Sequence, residues 1–153
     1  GTSDGSTPVT FYVDDIQWQE AKGGSGCTGK TATNYDPNAT MDDGSCLYPV
    51  TFQVDMAGVT LAPTEVVTLQ ATFNKWCGDC NPLADPGKTG TWSVTLPLAP
   101  GDYQYKYTTN GWNGQAETVP LACDITQGAQ KNRGFTLAAA PLTLAVKWST
   151  CPP

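Results

Sequence analysis

From Val50 onward the apolar side chains of this chain recur at every second position. VTFQVDM (50–56) puts Val50, Phe52, Val54 and Met56 on one face, and VVTLQATF (66–73) does the same with Val67, Leu69, Ala71 and Phe73. TWSVTLPL (91–98) aligns Trp92, Val94, Leu96 and Leu98. YQYKY (103–107) sets three tyrosines against Gln104 and Lys106, and GFTLA (134–138) and LTLAVKW (142–148) continue the pattern. A period of two is that of a strand with one face in a core and one outside. Roughly six or seven such segments, broken by Pro, Gly, Asn and Asp turns, specify an all-β antiparallel sandwich of about 100 residues. The composition agrees: 14% of residues are charged, and 16 glycines and 12 prolines punctuate the short apolar runs.

The remainder of the 153 residues is organised differently. GTSDGSTP (1–8) is a linker by composition. VTFYVDDIQW (9–18) reads as a single strand, followed by a second flexible break, AKGGSGC. One strand cannot bury itself. Residues 1–22 are therefore a linker and an orphan strand that either pairs with the main domain or closes a preceding β-sandwich. Its YVDDI phrase resembles the last strand of some β-sandwich carbohydrate-binding modules. In CTGKTATNYDPNATMDDGSC (27–46) turn formers dominate between two cysteines, so residues 23–48 are expected to be a disulfide-closed knuckle. Asp36, Asn38, Thr40 and Asp42 alternate oxygen-bearing side chains like the start of a calcium loop, but the closing bidentate Glu is absent. The favoured reading is a knuckle whose Asx residues bond their own turns. The segment is similar to a linker motif of secreted marine Bacteroidetes proteins, which implies a spacer. The sandwich then occupies 49–153. With no recognisable leader, the chain reads as a processed or excised piece of something larger.

Composition removes several functions. The net charge is −6, with eight scattered basic residues and no basic stripe for nucleic acid. No apolar run approaches a membrane span. There is no histidine, so Ser–His and Cys–His nucleophile systems are excluded, and no glycine loop cradles a phosphate. Outside the linker the acids are Asp55, Glu65, Asp79, Asp85, Asp102, Glu117 and Asp124, mostly at turns. That is a poor source for the two facing carboxyls of a glycosidase. A non-enzyme with no cofactor and no metal is expected.

The six cysteines, Cys27, Cys46, Cys77, Cys80, Cys123 and Cys151, allow 15 pairings. A four-thiolate zinc site wants a second close pair, and Cys123 and Cys151 stand alone. A thioredoxin-type centre wants its pair opening a helix, whereas Asn81-Pro82 follows here. Disulfides in an oxidising, extracellular compartment are the better reading.

What lies off the core phase could bind something. Lys106 alternates away from the tyrosine face; Trp76 sits in the turn FNKWCGDCNP; Trp112 lies in the glycine-flanked tip NGWNG; Asn132 and Arg133 open the next strand. Sugar rings stack their C–H faces on indoles while amides and ammonium groups reach the hydroxyls. Trp92 and Trp148 share the core phase, and Trp18 belongs with the orphan strand. Glu117, in GQAETVP, is the acid nearest this surface and a candidate hydroxyl acceptor. The bland alternatives are a sheet-surface charge for Lys106 and a rim cover for Trp76.

Four ordered phrases sharpen this: ATFNKW (71–76), LAPGDYQYKY (98–107), NGW (110–112) and KNRGFTL (131–137). Together they resemble the glycogen-binding, isoamylase N-terminal type of carbohydrate-binding module, an immunoglobulin-like early-set sandwich, over residues 50–148. The resemblance implies glucan contacts at Trp76, Lys106, Trp112 and Asn132. Ala71 replaces the family's glycine, the turn is one residue shorter, and a Cys77/Cys80 insertion alters the rim. That insertion resembles ends of marine polysaccharide-degrading enzymes, which brings in laminarin-type algal glucans as rivals to α-glucans. On this frame Cys77–Cys80 staples a small loop that fixes Trp76 and Asn74. Cys123–Cys151 ties the segment before the late strands to the C-terminal end, and Cys27–Cys46 closes the knuckle, a loop worth roughly 3 kcal/mol in the chain-entropy model. The expected function is non-catalytic polysaccharide binding, with a glucan as partner, by a secreted module of a larger polysaccharide-active protein. The alternative is a structural spacer or protein-interaction module of a secreted assembly.

Overall fold

A computed structural model describes residues 23–126 and 128–153; the orphan strand 9–18 and Trp18 lie outside the described residues. Eight strands are present among them. A short parallel pair, β1 (Ser25–Gly26) and β2 (Met41–Asp42), belongs to the knuckle. The other six are β3 (Tyr48–Asp55), β4 (Val67–Ala71), β5 (Thr91–Leu98), β6 (Gly101–Thr109), β7 (Arg133–Leu137) and β8 (Leu142–Lys147). They form two three-stranded sheets, ordered β5-β3-β8 and β4-β6-β7. This is the expected immunoglobulin-like β-sandwich, with one departure: β8 runs parallel to β3, from Val50 opposite Leu142 to Asp55 opposite Lys147. The remaining pairs of the two sheets are antiparallel. A parallel neighbour needs a long crossover, and here the whole of β4 to β7 supplies it.

The core is the set that alternation selects. Val50, Phe52 and Val54 are fully buried, as are Val67, Leu69, Ala71 and Tyr107, with Met56, Leu98, Tyr105 and Leu137 nearly so. Phe52 lies between the sheets, with the rings of Phe73, Tyr105 and Phe135 at 5.7, 5.4 and 5.7 Å, edge-on or tilted as ring quadrupoles favour. Trp92 and Trp148 pack half-buried against this core. Cys27 and Cys46 are bonded to each other and, with Tyr48, belong to the same buried cluster. The knuckle's acids bond their own turns: Asp36 accepts from the Asn38 N–H at 2.8 Å, Asp42 from Gly44 at 2.7 Å and Asp43 from Ser45 at 2.9 Å.

β4 departs from simple alternation, because all five of its residues are buried. Its inner face is core; its outer face and free edge are covered by the chain that follows. The Leu69 N–H donates to the Asn81 carbonyl at 2.9 Å and the Leu83 N–H to Val67 at 2.8 Å. Ala84 then exchanges two backbone bonds with Ser93 of β5. Residues 81–84 thus close an edge that would otherwise offer unpaired amides, and they bring residues 75–80 over the outer face of the β4-β6-β7 sheet.

Candidate functional site

Outer-face positions on this sheet are read from its register. Gln70 lies opposite Lys106 and Gln104 opposite Gly134; Thr68 and Thr108 form the next row and share a hydroxyl bond of 2.8 Å. Gln70 is completely buried among these polar groups, and its amide is saturated. Its Nε2 donates to the Gly78 carbonyl and, at 2.9 Å, to the Thr108 hydroxyl, while its Oε1 accepts the Gly78 N–H at 2.9 Å. One side chain therefore clamps both backbone groups of Gly78 onto the sheet.

That clamp organises the turn bearing Trp76. After β4 a single 3-10 turn, Thr72–Asn74, is followed by two consecutive non-glycine residues in the left-handed region, Lys75 (φ 55°) and Trp76 (φ 58°). Such residues persist only where their surroundings over-determine them. Here the Asn74 Oδ1 accepts N–H bonds from Ala71 at 2.9 Å and Trp76 at 3.1 Å. Its Nδ2 donates to the Leu69 carbonyl and the Asn81 Oδ1, each at 2.8 Å. A Cys77–Cys80 disulfide closes the loop beyond. The staple is expected to hold Trp76 and Asn74; the structure adds that Asn74 itself holds the turn through its four hydrogen bonds, and the three cysteine pairs are those expected.

The second tryptophan docks on the first. In the turn after β6, Asn110 (φ 48°) and Gly111 (φ 65°) are left-handed. The Gly111 backbone lies so close to Gly78 that an added Cβ would stand 3.2 Å from the Gly78 carbonyl carbon. The Trp112 indole N–H then donates to the Trp76 carbonyl at 3.0 Å. Trp112 is 50% exposed. Asn132 comes from the far side: Asp124 Oδ1 accepts its N–H at 3.0 Å, and its Nδ2 donates to the Gln104 Oε1 at 3.2 Å. Hydrogen bonds, chiefly from Thr126, hold the Asp124 carboxyl below the usual range, so it is an anion that anchors this loop.

These elements surround a surface depression of ≈ 480 Å³ lined by Thr72, Trp76, Gln104, Trp112, Gln130 and Asn132. Three of the four expected site residues meet there. Lys106, the fourth, shares the sheet face but is only 8% exposed and is not part of the lining. The reading of it as an open surface ammonium is corrected: alternation gave the face, and the loops laid over that face bury it. Glu117 is corrected more fully. It is 2% exposed and paired with Arg133 through a 2.6 Å contact. It also accepts the Tyr107 N–H at 3.0 Å, so its carboxylate ties β6 to β7 and offers nothing to a ligand. Thr72 and Gln104 had a sequence signal, since they share phase with Gln70 and Lys106; Gln130, in a loop, had none. A rigid half-exposed indole pair, bordered by amides and a hydroxyl, can stack on a flat C–H face and exchange hydrogen bonds at its edge.

The family profile of carbohydrate-binding module 48 (isoamylase N-terminal domain) matches residues 62–123. The chain is also 30% identical over 84 residues to a 1,4-alpha-glucan branching enzyme, GlgB, of Nitrosospira multiformis; the alignment covers 55% of this chain and 11% of that enzyme. The match to the profile contains β4, the stapled loop, β5, β6 and both tryptophans of the depression. Over residues 62–123 the sandwich is thus similar to carbohydrate-binding module 48.

Proposed function

We propose that this sandwich is a non-catalytic glucan-binding module of a larger, secreted, polysaccharide-active protein. The observation that carries the reading is the meeting of Trp76, Trp112 and Asn132 around one depression, with both tryptophans inside the segment that matches a carbohydrate-binding module. In this reading Trp76 and Trp112 stack on pyranose faces, and Asn132, Gln104 and Thr72 exchange hydrogen bonds with ring hydroxyls. Lys106 supports the surface from beneath. Holding both indoles in place before the ligand arrives reduces the entropy lost on binding. One module of this kind binds weakly, and linkage to further modules raises avidity. Three disulfide pairs support an oxidising compartment.

Affinity electrophoresis in gels cast with glycogen, amylose or laminarin tests this. Trp112→Ala should weaken retention about tenfold or more while leaving the unfolding transition in place, because the ring is half exposed and outside the core. Unchanged mobility of the wild-type chain in every glucan gel would refute the reading.

A further inference from the structure

Trp112 borders a second depression, of ≈ 240 Å³, whose lining includes Gly78, Asp79, Asn110 and Asn113. The two depressions share no lining residue except Trp112. They differ in character, for the first has both indoles while the second is walled by the stapled loop on one side and by the turn after β6 on the other. The stapled loop shapes it: Gly78 and Asp79 lie between the bonded cysteines, and the close approach of Gly78 to Gly111 sets the spacing of the walls. Its polar groups are largely uncommitted. The Asp79 and Asn113 side chains make no hydrogen bond within the described residues and both are exposed. The Asn110 Oδ1 accepts the Val66 N–H at 3.0 Å, leaving its amide N–H groups to spare.

We infer that this second depression is an additional sugar subsite, shaped by the stapled loop, which receives pyranose units of the same chain beyond those stacked at Trp76. The inference rests on the glucan-binding reading. Its chemistry is that of hydroxyl recognition: the Asp79 carboxylate accepts from a vicinal pair of sugar hydroxyls, and the Asn113 and Asn110 amides donate to ring or hydroxyl oxygens. The shared indole makes the groove continuous, so a chain lying over Trp112 occupies both depressions. Two consequences separate this from a single stacking site. Affinity should climb with chain length past the few units that the first depression accommodates. The climb should depend on residues of the insertion.

The experiment compares maltotriose with maltoheptaose, and laminaritriose with laminariheptaose, by isothermal titration of the full chain and of Asp79→Ala/Asn113→Ala. Both substitutions are on exposed side chains, and an unchanged thermal transition verifies the fold. The double variant is expected to keep the triose affinity and to lose about thirtyfold or more on the heptaose, the size of a lost charged hydrogen bond plus a neutral one. Equal loss on both lengths, or no loss on the heptaose, overturns the subsite and leaves glucan binding standing. Failure of the wild-type chain to bind either length in both series overturns the glucan reading, and the subsite with it.

Discussion

Gly111 and Gly58 are both left-handed, at φ 65° and 86°, yet they answer different demands. A methyl group on Gly58 would meet open space, whereas one on Gly111 would stand 3.2 and 3.3 Å from backbone atoms of Gly78. Gly58→Ala should therefore cost only the backbone term, about 1 kcal/mol. Gly111→Ala should cost about 1–2 kcal/mol and also push the Trp112 turn off the stapled loop. Urea denaturation beside glucan titration checks this: both variants lose stability, and only Gly111→Ala loses affinity. Equal affinities would mean that the contact of the two turns does not set the site. Single residues are also where the sequence was least legible. Trp76 and Trp112 could be located because tips and turns are outside by construction, whereas Asn132, although buried, was placed by the resemblance. Lys106, Gln70 and Glu117 could not. Alternation states which face a side chain takes, but not whether a later loop lies over that face: Gly78 caps Gln70, and Glu117 is closed off by Arg133.

Among the elements, the strands were readable in proportion to the contrast between their faces. β5 spans 91–98 as expected, and β3, β7 and β8 fall within two residues of the apolar runs that marked them. The parallel pairing of β8 with β3 was not readable, because periodicity is blind to direction. The loop that staples Trp76 is the element on which function depends most, and its energetics differ from those of the other covalent ties. Cys77 and Cys80 are three residues apart, Cys123 and Cys151 twenty-eight. Cross-linking restricts the unfolded chain more for the longer loop, so chain entropy gives about 2 kcal/mol for the first and about 3.5 kcal/mol for the second. Replacing Cys123 and Cys151 by serine should lower stability more than replacing Cys77 and Cys80, and glucan affinity should show the reverse order. The short staple's double variant should bind several-fold more weakly, because Trp76 would have to be ordered on binding. Chemical denaturation and titration of the two double variants decide it; a staple variant that binds like wild type would show that the Asn74 and Gln70 networks suffice alone.

At the scale of the molecule, the titratable groups imply how both stability and binding respond to pH. The chain has no histidine, and the groups at the depression are indoles, amides and a hydroxyl. Binding should accordingly be flat between about pH 5 and pH 9, where no unperturbed side chain other than histidine changes charge appreciably. Stability should not be flat at the extremes. Asp42, Asp43, Glu65, Asp85 and Asp124 are each held below their ordinary values by hydrogen bonds from neighbouring backbone and hydroxyl groups. A carboxyl depressed in the folded state contributes stability above its unfolded value, and that contribution disappears as the pH falls through the folded one. The loss should set in below about pH 4 and be cumulative, although each of these exposed groups contributes little. Tyrosine works in the opposite sense. Burial pushes the Tyr105 hydroxyl up to about 12 and Tyr107 well above its ordinary value, so both stay neutral when folded. Their contribution is complete below the unfolded value near pH 10 and drains away as the pH rises towards the folded one. A plot of Tm against pH should thus show a broad plateau with an acid and an alkaline shoulder. Since Asp124 anchors Asn132, affinity for glucan should fall along the acid shoulder before the fold is lost, while on the alkaline side the two should fail together. Affinity that outlasts the acid shoulder would show that Asn132 keeps its place without the Asp124 anion.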